Sequence, residues 1–293
     1  MPLDNSYIES VAFVVAHRRV DGVEVVKPIG TAFFVSVPST AVPDGVFVYV
    51  VTAAHVVENE AWTGIRFNTL SGAVIDEPVP RWYFHPSQDV AAAPMAKADW
   101  VRLRFVPQSG FADRWDHRPN LGDPVYFAGL LAKLSVMGEA NIPMVRSGTL
   151  GRLFQDNVPI QLADGVIRTA RAHLIDCRSY AGFSGSPCFI QSTVVRHVDT
   201  PSIPGGAIGD LEFSETFLLG LIAAHFDEWV EARTTGDILG TVETPVNSGV
   251  GVVVPAEAIR ELIELDPDLA AYRMENDARR RSANLQGPAA LPG

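Results

Sequence analysis

Three short segments of the chain carry side chains that could together perform nucleophilic chemistry. They are V-T-A-A-H-V at 51–56, H-P-S-Q-D-V-A at 85–91 and G-F-S-G-S-P at 182–187. A serine hydroxyl such as that of Ser184 is a poor nucleophile at neutral pH and needs a neighbouring base. The imidazole of His55 could be that base, and the carboxylate of Asp89 could hold its tautomer and stabilise the imidazolium. We therefore expect the fold to bring His55, Asp89 and Ser184 together.

These segments resemble the trypsin-like (chymotrypsin-fold) serine proteases, whose catalytic residues follow the same His, Asp, Ser order along the chain. The TAAH signature of that family is intact at 52–55, and its D-[IV]-A segment lies at 89–91. Its GDSGGP loop is replaced by GFSGSP. Further segments that fit the family template lie at 30–35, 220–225 and 249–255. The resemblance covers about residues 10–265 and is closest to bacterial Htr-type and glutamyl-endopeptidase-like members.

The resemblance implies a role for each residue of these motifs. Ser184 would be the nucleophile, His55 the general base and acid, and Asp89 the orienting carboxylate. The backbone N–H groups of Gly182 and Ser184 would form the oxyanion hole, where developing negative charge is stabilised. The implied function is a serine endopeptidase that acts on a protein or peptide substrate and needs no cofactor.

Phe183 departs from the family pattern. Members that are activated by proteolysis carry an aspartate there, which binds a newly formed N-terminal ammonium. Phenylalanine cannot form that ion pair, and the chain has no Ile-Val-Gly-Gly sequence that cleavage could expose. We therefore expect a protease that is competent without N-terminal processing.

The specificity pocket is read from the same resemblance, and two interpretations stay open. Arg178 lies six residues before the nucleophile, where such enzymes place the floor of the pocket, and His225 follows Ala223 by two residues. If Arg178 and His225 both face the cleft, the enzyme would favour an acidic residue before the scissile bond. If Arg178 instead turns outward or pairs with Asp176, the pocket would be small and neutral.

Composition excludes several other classes of protein. The 293 residues carry a net charge of −11, which argues against a general nucleic-acid partner. No apolar run is long enough for a membrane helix, and the first residues lack the pattern of a secretory signal, so we expect no membrane partner and a cytoplasmic location. The two cysteines, Cys177 and Cys188, are too few for a disulfide scaffold, and spacing alone leaves open whether they pair. No Cys or His cluster suggests a metal site.

The elements that must position these residues are mostly short strands. Val-, Ile- and Phe-rich runs broken by Gly, Pro, Asn and Asp predict an all-β fold of two six-stranded antiparallel β-barrels (chymotrypsin-like) with a C-terminal helix. The predicted strands are residues 10–16, 31–37, 46–52, 100–105, 124–128, 144–153, 167–177, 187–191, 217–225 and 249–254. The predicted domains are 1–115 with His55 and Asp89, 116–267 with Ser184, and a polar helix and disordered tail at 268–293.

Two stretches, 197–215 and 227–247, are interpreted as loops longer than a minimal barrel needs, and the sequence leaves open whether they cover or gate the cleft. Pro255 and the apolar spacing of Ile259, Leu262 and Ile263 predict a helix that ends near Pro267.

Two rival functions were weighed. An α/β-hydrolase esterase fails because Ser186 stands where the nucleophile elbow needs glycine and because the segment after Ser184 reads as a strand. A degenerate protease fold that serves as a binding or regulatory module stays open, since Phe183 and Ser186 both alter the nucleophile loop.

Overall fold

The computed structural model describes residues 4–96, 104–112, 119–131, 141–161, 167–177, 182–199, 208–233 and 241–285. After a short helix α1 (Asn5–Ile8), the first half of the chain forms one sheet in the strand order β5-β4-β1-β2-β3-β7-β6, and β8 pairs with β2 in parallel. Its strands are β1 (Val11–Val20), β2 (Val23–Pro38), β3 (Val46–Thr52), β4 (Thr63–Asn68), β5 (Val74–Pro78), β6 (Tyr83–Phe84), β7 (Ala91–Met95) and β8 (Val106–Pro107). A one-turn helix, α2 (Ala54–Val57), follows β3 directly.

The second half forms a closed barrel in the strand order β10-β11-β14-β13-β12-β9, in which all six pairs of neighbouring strands are antiparallel over the described residues. Its strands are β9 (Pro124–Gly129), β10 (Met144–Gln161), β11 (Ile167–Asp176), β12 (Pro187–Asp199), β13 (Ile208–Arg233) and β14 (Thr241–Pro255). Two helices close the described chain: α3 (Ala256–Leu265) and α4 (Pro267–Leu285). The predicted all-β fold class is confirmed.

The near-continuous apolar run of β1 reflects burial on both faces. Ala12 and Val14 point into the core of the first sheet, whereas Phe13 and Val15 pack with Leu130, which follows β9 of the second barrel. A strand that is exposed on one face would alternate apolar and polar residues, so the unbroken run follows from this position between the two sheets.

The C-terminal helices return to the first sheet. The apolar face of α3 is buried as its spacing predicts, with Ile259, Leu262 and Ile263 all in the core. In α4 the buried carboxylate of Asp277 accepts hydrogen bonds from Ser39 Oγ at 2.6 Å and Thr40 N at 2.9 Å. These bonds anchor the end of the chain to the turn between β2 and β3.

Several details differ from the sequence prediction. The first sheet has eight strands rather than six, because the short strands β6 and β8 join it. The strands β4, β5, β6 and β7 were not predicted. Of the predicted strand 100–105, residues 100–103 lie outside the described part of the chain and 104–105 are not in a strand. The tail was expected to be disordered from 282, but 282–285 are helical in α4.

The two predicted loops are instead extended hairpins over the residues described. Residues 191–199 of β12 pair continuously with 208–216 of β13, and 227–233 of β13 pair with 241–247 of β14. The charged and polar residues in these stretches hid the strands, because backbone pairing in a hairpin does not require apolar alternation. The loop prediction is therefore wrong for 197–199, 208–215, 227–233 and 241–247, whereas 200–207 and 234–240 lie outside the described residues.

His173 on β11 is a buried histidine whose role is structural. Its side chain is 2% exposed, and its Nδ1 accepts a hydrogen bond from Phe154 N at 3.2 Å. Burial, helped by the positive charge of Arg171, lowers the pKa of His173 to about 3. The unfolded chain regains a pKa of about 6.5. Between these two values the unfolded state holds a proton that the folded state lacks.

We therefore expect the free energy of unfolding to fall as the pH drops below about 6.5, with His173 contributing up to about 1.4 kcal/mol per pH unit. The measurement is urea unfolding at pH 7, 6 and 5. His173→Asn is the matched variant, because its Oδ1 can still accept from Phe154 N but does not titrate. It should show a shallower pH dependence than the wild type, and equal slopes would contradict the prediction.

Candidate active site

His55 lies in α2, which follows directly after the buried strand β3 of the first sheet. Two atoms of His55 bind the Asp89 carboxylate: the backbone N–H donates to Oδ1 at 2.9 Å, and Nδ1 lies 2.7 Å from Oδ2. A carboxylate only accepts, so the imidazole proton lies on Nδ1 and leaves the lone pair on Nε2. The Asp89 side chain is 3% exposed and that of His55 is 18% exposed. The pair thus presents Nε2 as a base while its orienting carboxylate is shielded from water.

Ser184 lies in a tight loop between residues 182 and 187. Gly182 has a φ of 103° and Gly185 a φ of 84°, values that residues with a side chain rarely adopt. The Ser186 N–H donates to the Phe183 carbonyl at 2.9 Å and closes the turn around Ser184. The sequence G-F-S-G-S-P therefore supplies glycine at both places where the loop reverses.

The loop is attached to both sheets by backbone hydrogen bonds. Thr31 of β2 donates its N–H to the Ser184 carbonyl at 2.9 Å and its Oγ1 to the Gly182 carbonyl at 2.7 Å. Gly185 donates its N–H to the carbonyl of Ile222 on β13 at 2.8 Å. Strands of the two halves of the chain therefore hold the loop from opposite sides.

Gly185 also brings the loop against the segment that carries His55. A Cβ at Gly185 would overlap the Thr31 carbonyl oxygen and Thr52 Oγ1 and would lie 3.1 Å from Ala53 N. Thr52 Oγ1 in turn donates to the Thr31 carbonyl at 2.7 Å. The T-A-A-H segment and the serine loop are thus packed backbone to backbone, with Ser184 and His55 each one to two residues from the contact.

Within the described residues, no hydrogen bond joins Ser184 Oγ to His55 Nε2. The N–H groups of Gly182 and Ser184 donate to no described acceptor either. Catalytic hydrogen bonds are often long in structures without substrate and tighten in the complex. Unpartnered N–H groups are of the kind that can stabilise developing negative charge.

Phe183 anchors the loop in the interior of the second barrel. Its ring is fully buried and packs edge-on against Phe127 of β9, with ring centroids 5.5 Å apart. A side chain at Gly129 would collide with this ring, so the absence of a Cβ there makes room for it. An apolar contact therefore occupies the place where proteolytically activated relatives have an aspartate.

The three residues that the sequence assigns to the specificity pocket, Arg178, Ala223 and His225, do not lie together on one described surface. Arg178 lies outside the described residues. Ala223 is buried in the core cluster outside the second barrel, whereas the preceding Ile222 packs inside the barrel. A β-bulge between Ile222 and Ala224 inserts one residue into the alternation. Ala223 and His225 therefore lie on opposite faces of β13, and their assignment to a substrate pocket stays a prediction.

His225 instead takes the opposite face from Ala223. It pairs directly with Gly251 of β14, and the position of a Cβ at Gly251 lies 2.8 Å from Cys177 Sγ. Directly paired residues in an antiparallel sheet lie on the same face. His225 thus lies on the face that leads to Cys177, the last described residue before the 178–181 segment.

The two cysteines are free and buried, and they form no disulfide. Burial raises the pKa of Cys177 to about 11 and that of Cys188 well above its ordinary value. A thiol that stays protonated at neutral pH is a poor nucleophile. Among the described residues, no group of three or more His, Cys, Asp or Glu side chains could hold a metal ion. None of the described helices is long and apolar enough to span a membrane.

The sequence interpretation did not identify Thr31 as part of the site. It donates both its N–H and its Oγ1 to the serine loop, and its carbonyl accepts from Thr52. A signal was available, because Thr31 and Thr52 carry hydroxyl groups in mostly apolar, buried strand segments. Buried hydroxyl groups need hydrogen-bond partners, so such residues indicate positions where a strand is hydrogen-bonded to a neighbouring loop or strand through a side chain.

Solved structures resemble this chain over most of its length. The MamO protease domain from Magnetospirillum magneticum (apo form) is 18% identical over 88% of this chain and 98% of that chain, with a TM-score of 0.50. The Rv3671c protease from M. tuberculosis, in its active form, is 15% identical over 88% of this chain and 81% of that chain, with a TM-score of 0.45. No family model matches the chain, and no curated protein matches it. From its two sheets, its C-terminal helices and the likeness to the MamO protease domain, we conclude that the chain has the chymotrypsin-like double β-barrel fold of trypsin-like serine protease domains.

Proposed function

We propose that this protein is a serine endopeptidase in which His55, Asp89 and Ser184 form the catalytic triad. Ser184 Oγ would attack the carbonyl carbon of a peptide bond while His55 Nε2 takes the hydroxyl proton. The proton then passes to the leaving amine, and the acyl group stays on Ser184 as an ester. Water, deprotonated by His55, releases the acid and restores the serine. The N–H groups of Gly182 and Ser184 would stabilise the oxyanion in both steps.

The observation that carries the proposal is the double attachment of His55 to Asp89. The bonds of 2.9 Å to the backbone N–H and 2.7 Å to Nδ1 leave the imidazole with its lone pair on Nε2. A histidine that served only to fill space would not need a buried carboxylate on both its backbone and its ring. A general base in a Ser-His-Asp arrangement needs this tautomer.

The second candidate is a binding or regulatory module built on the same fold. The observation that favours it is the missing hydrogen bond between Ser184 Oγ and His55 Nε2 in the described part of the chain. In that case the loop would keep its shape without activating the serine. The two candidates differ in one property, the reactivity of Ser184.

The substrate we propose is a protein or peptide chain. His225, on the face that leads to Cys177, supports an acidic preference before the scissile bond from one side of the pocket. The contribution of Arg178 to that preference rests on the sequence alone. Phe183, which is already buried, supports activity without a newly formed N-terminus.

The test is to incubate the intact chain, its full mass verified, with a biotinylated fluorophosphonate. An activated serine displaces fluoride and forms a phosphonyl ester, so we expect one label per chain, located on Ser184 by mass spectrometry. The same intact material should hydrolyse a casein substrate. Absence of any label would favour the binding module, and activity that appears only after N-terminal trimming would contradict the proposed competence of the intact chain.

A further inference from the structure

His85 begins the turn that presents Asp89, and its ring is turned back into that turn. Its Nδ1 accepts hydrogen bonds from the backbone N–H groups of Ser87 at 3.2 Å and Gln88 at 3.0 Å. Its own backbone N–H donates to the Val90 carbonyl at 3.0 Å. His85 therefore bonds to residues on both sides of Asp89, and its side chain is only 7% exposed.

These bonds determine the tautomer of the His85 ring. An imidazole nitrogen that accepts two N–H groups must carry its lone pair, so the proton of the neutral ring lies on Nε2. Nε2 lies 3.1 Å from Glu261 Oε2 on α3 and donates to it. The ring thus uses one nitrogen to shape the turn and the other to fasten the turn to the C-terminal helix.

The turn has a second external attachment. Gln88 Oε1 accepts a hydrogen bond from the backbone N–H of Arg171 on β11 at 3.1 Å. Asp89 therefore follows a turn that is fastened to α3 through His85 and to the second barrel through Gln88. Neither residue touches His55, so an effect on His55 must pass through Asp89.

We propose that His85 is a positioning residue for the reaction: its Nδ1 sets the turn that aims the Asp89 carboxylate at His55 Nδ1. The inference rests on the proposed function. Without the acceptor, the Ser87 and Gln88 N–H groups turn to water and the turn relaxes. A misplacement of about 1 Å in a catalytic constellation costs on the order of 10²-fold in rate. The loss falls on kcat rather than on KM, because no substrate contact is removed.

Three variants of His85 separate its two nitrogens. In His85→Asn the amide oxygen stands close to the place of Nδ1 and can accept the same N–H groups. In His85→Gln the amide stands close to the place of Nε2 and keeps only the contact with Glu261. His85→Ala keeps neither. His17, which packs on Trp62 at the far end of β1, supplies the control variant His17→Asn.

We expect kcat of His85→Asn and His17→Asn to stay within about threefold of the wild type, and that of His85→Gln and His85→Ala to fall by about 10- to 100-fold, with KM within about twofold. Equal losses for His85→Asn and His85→Ala, or full activity of His85→Ala, would overturn the proposal. If His85→Ala does not fold, the comparison of Asn with Gln at this position still decides it.

A readout that does not need turnover keeps this inference separate from the proposed function. The His55 Nδ1–H proton bound to Asp89 should give a strongly deshielded proton NMR signal in the wild-type chain. That signal should persist in His85→Asn and shift or broaden in His85→Gln. A wild type that shows the signal but hydrolyses nothing would refute the proposed function alone, and an unchanged signal in His85→Gln and His85→Ala would refute the positioning role alone.

Discussion

Ser184→Ala should abolish both fluorophosphonate labelling and peptide hydrolysis. The Ser184 hydroxyl is the group that would form the acyl bond, and removal of a triad serine costs on the order of 10⁶-fold in turnover in subtilisin. The backbone contacts of the loop do not use the Ser184 side chain, since Thr31 binds the Ser184 and Gly182 carbonyls. The variant should therefore fold as the wild type does. The measurements are active-site labelling, kcat/KM on a peptide substrate and thermal unfolding.

Ser186 offers the matched control two residues further along the same loop. Its side chain is fully buried, and its Oγ has no hydrogen-bond partner in the described part of the chain. Ser186→Ala removes a buried hydroxyl that is unsatisfied, so we expect it to be neutral or stabilising. It should label on Ser184 like the wild type. If Ser184→Ala were still labelled, or if only Ser186→Ala lost labelling, the assignment of the nucleophile would be wrong.

Gly185→Ala should have the largest effect on folding. The residue has a φ of 84°, and a Cβ there would overlap the Thr31 carbonyl oxygen and Thr52 Oγ1. Neither atom can move without a large cost in free energy, because Thr31 and Thr52 both lie in buried strands and these two atoms are hydrogen-bonded to each other at 2.7 Å. We expect a loss of about 4 kcal/mol or more in the free energy of unfolding, in the range reserved for severe packing defects. Folded protein, where recovered, should lose activity because the loop is displaced from Ala53.

Gly22→Ala is the control that separates the two contributions to the Gly185→Ala effect, namely the strain of a left-handed backbone and the steric overlap of the new Cβ. Gly22 has a nearly equal φ of 81° in the turn between β1 and β2, but a Cβ there would meet no atom within 4 Å. It should cost only the left-handed penalty of about 1–2 kcal/mol and leave activity intact. The measurement is denaturant unfolding of both variants. Equal losses would show that Gly185 is needed for its backbone angle alone and not for the contact between the two segments.

Much of the site could be predicted because its residues lie in short motifs. The order of His55, Asp89 and Ser184 can be read from local sequence, as can the strands β3 and β11 that precede the first and the third motif. The β4–β5 hairpin was missed because Arg66 and Asp76 look like solvent-exposed charges, whereas they form a cross-strand pair with Arg66 buried. A charge that is paired across a sheet carries no local signal of its partner.

The faces of β13 on which Ala223 and His225 lie could not be predicted, for a different reason. In a regular strand every second side chain lies on the same face, so the face of each residue follows from its sequence position. The bulge after Ile222 adds one residue to β13, and no local sequence pattern reveals it. A single inserted residue moves every later side chain to the other face. For His85, which precedes a proline, the sequence indicates a part in shaping the turn that holds Asp89, but it does not show that the ring folds back onto the backbone.

The buried ring of Phe183 has a consequence for the conditions under which the nucleophile loop keeps its shape. A loop held by an ion pair between an aspartate and an N-terminal ammonium loosens in alkali, since an α-amino group has a pKa of about 7.7–8.0. Salt also weakens an exposed ion pair. A phenylalanine ring packed on Phe127 and Gly129 has no proton to lose and no charge to screen. Apolar burial is instead strengthened by sulfate and phosphate and weakened by cooling. The contact that Phe183 makes therefore responds to temperature and to salts such as sulfate and phosphate, and not to the protonation of an N-terminal amine.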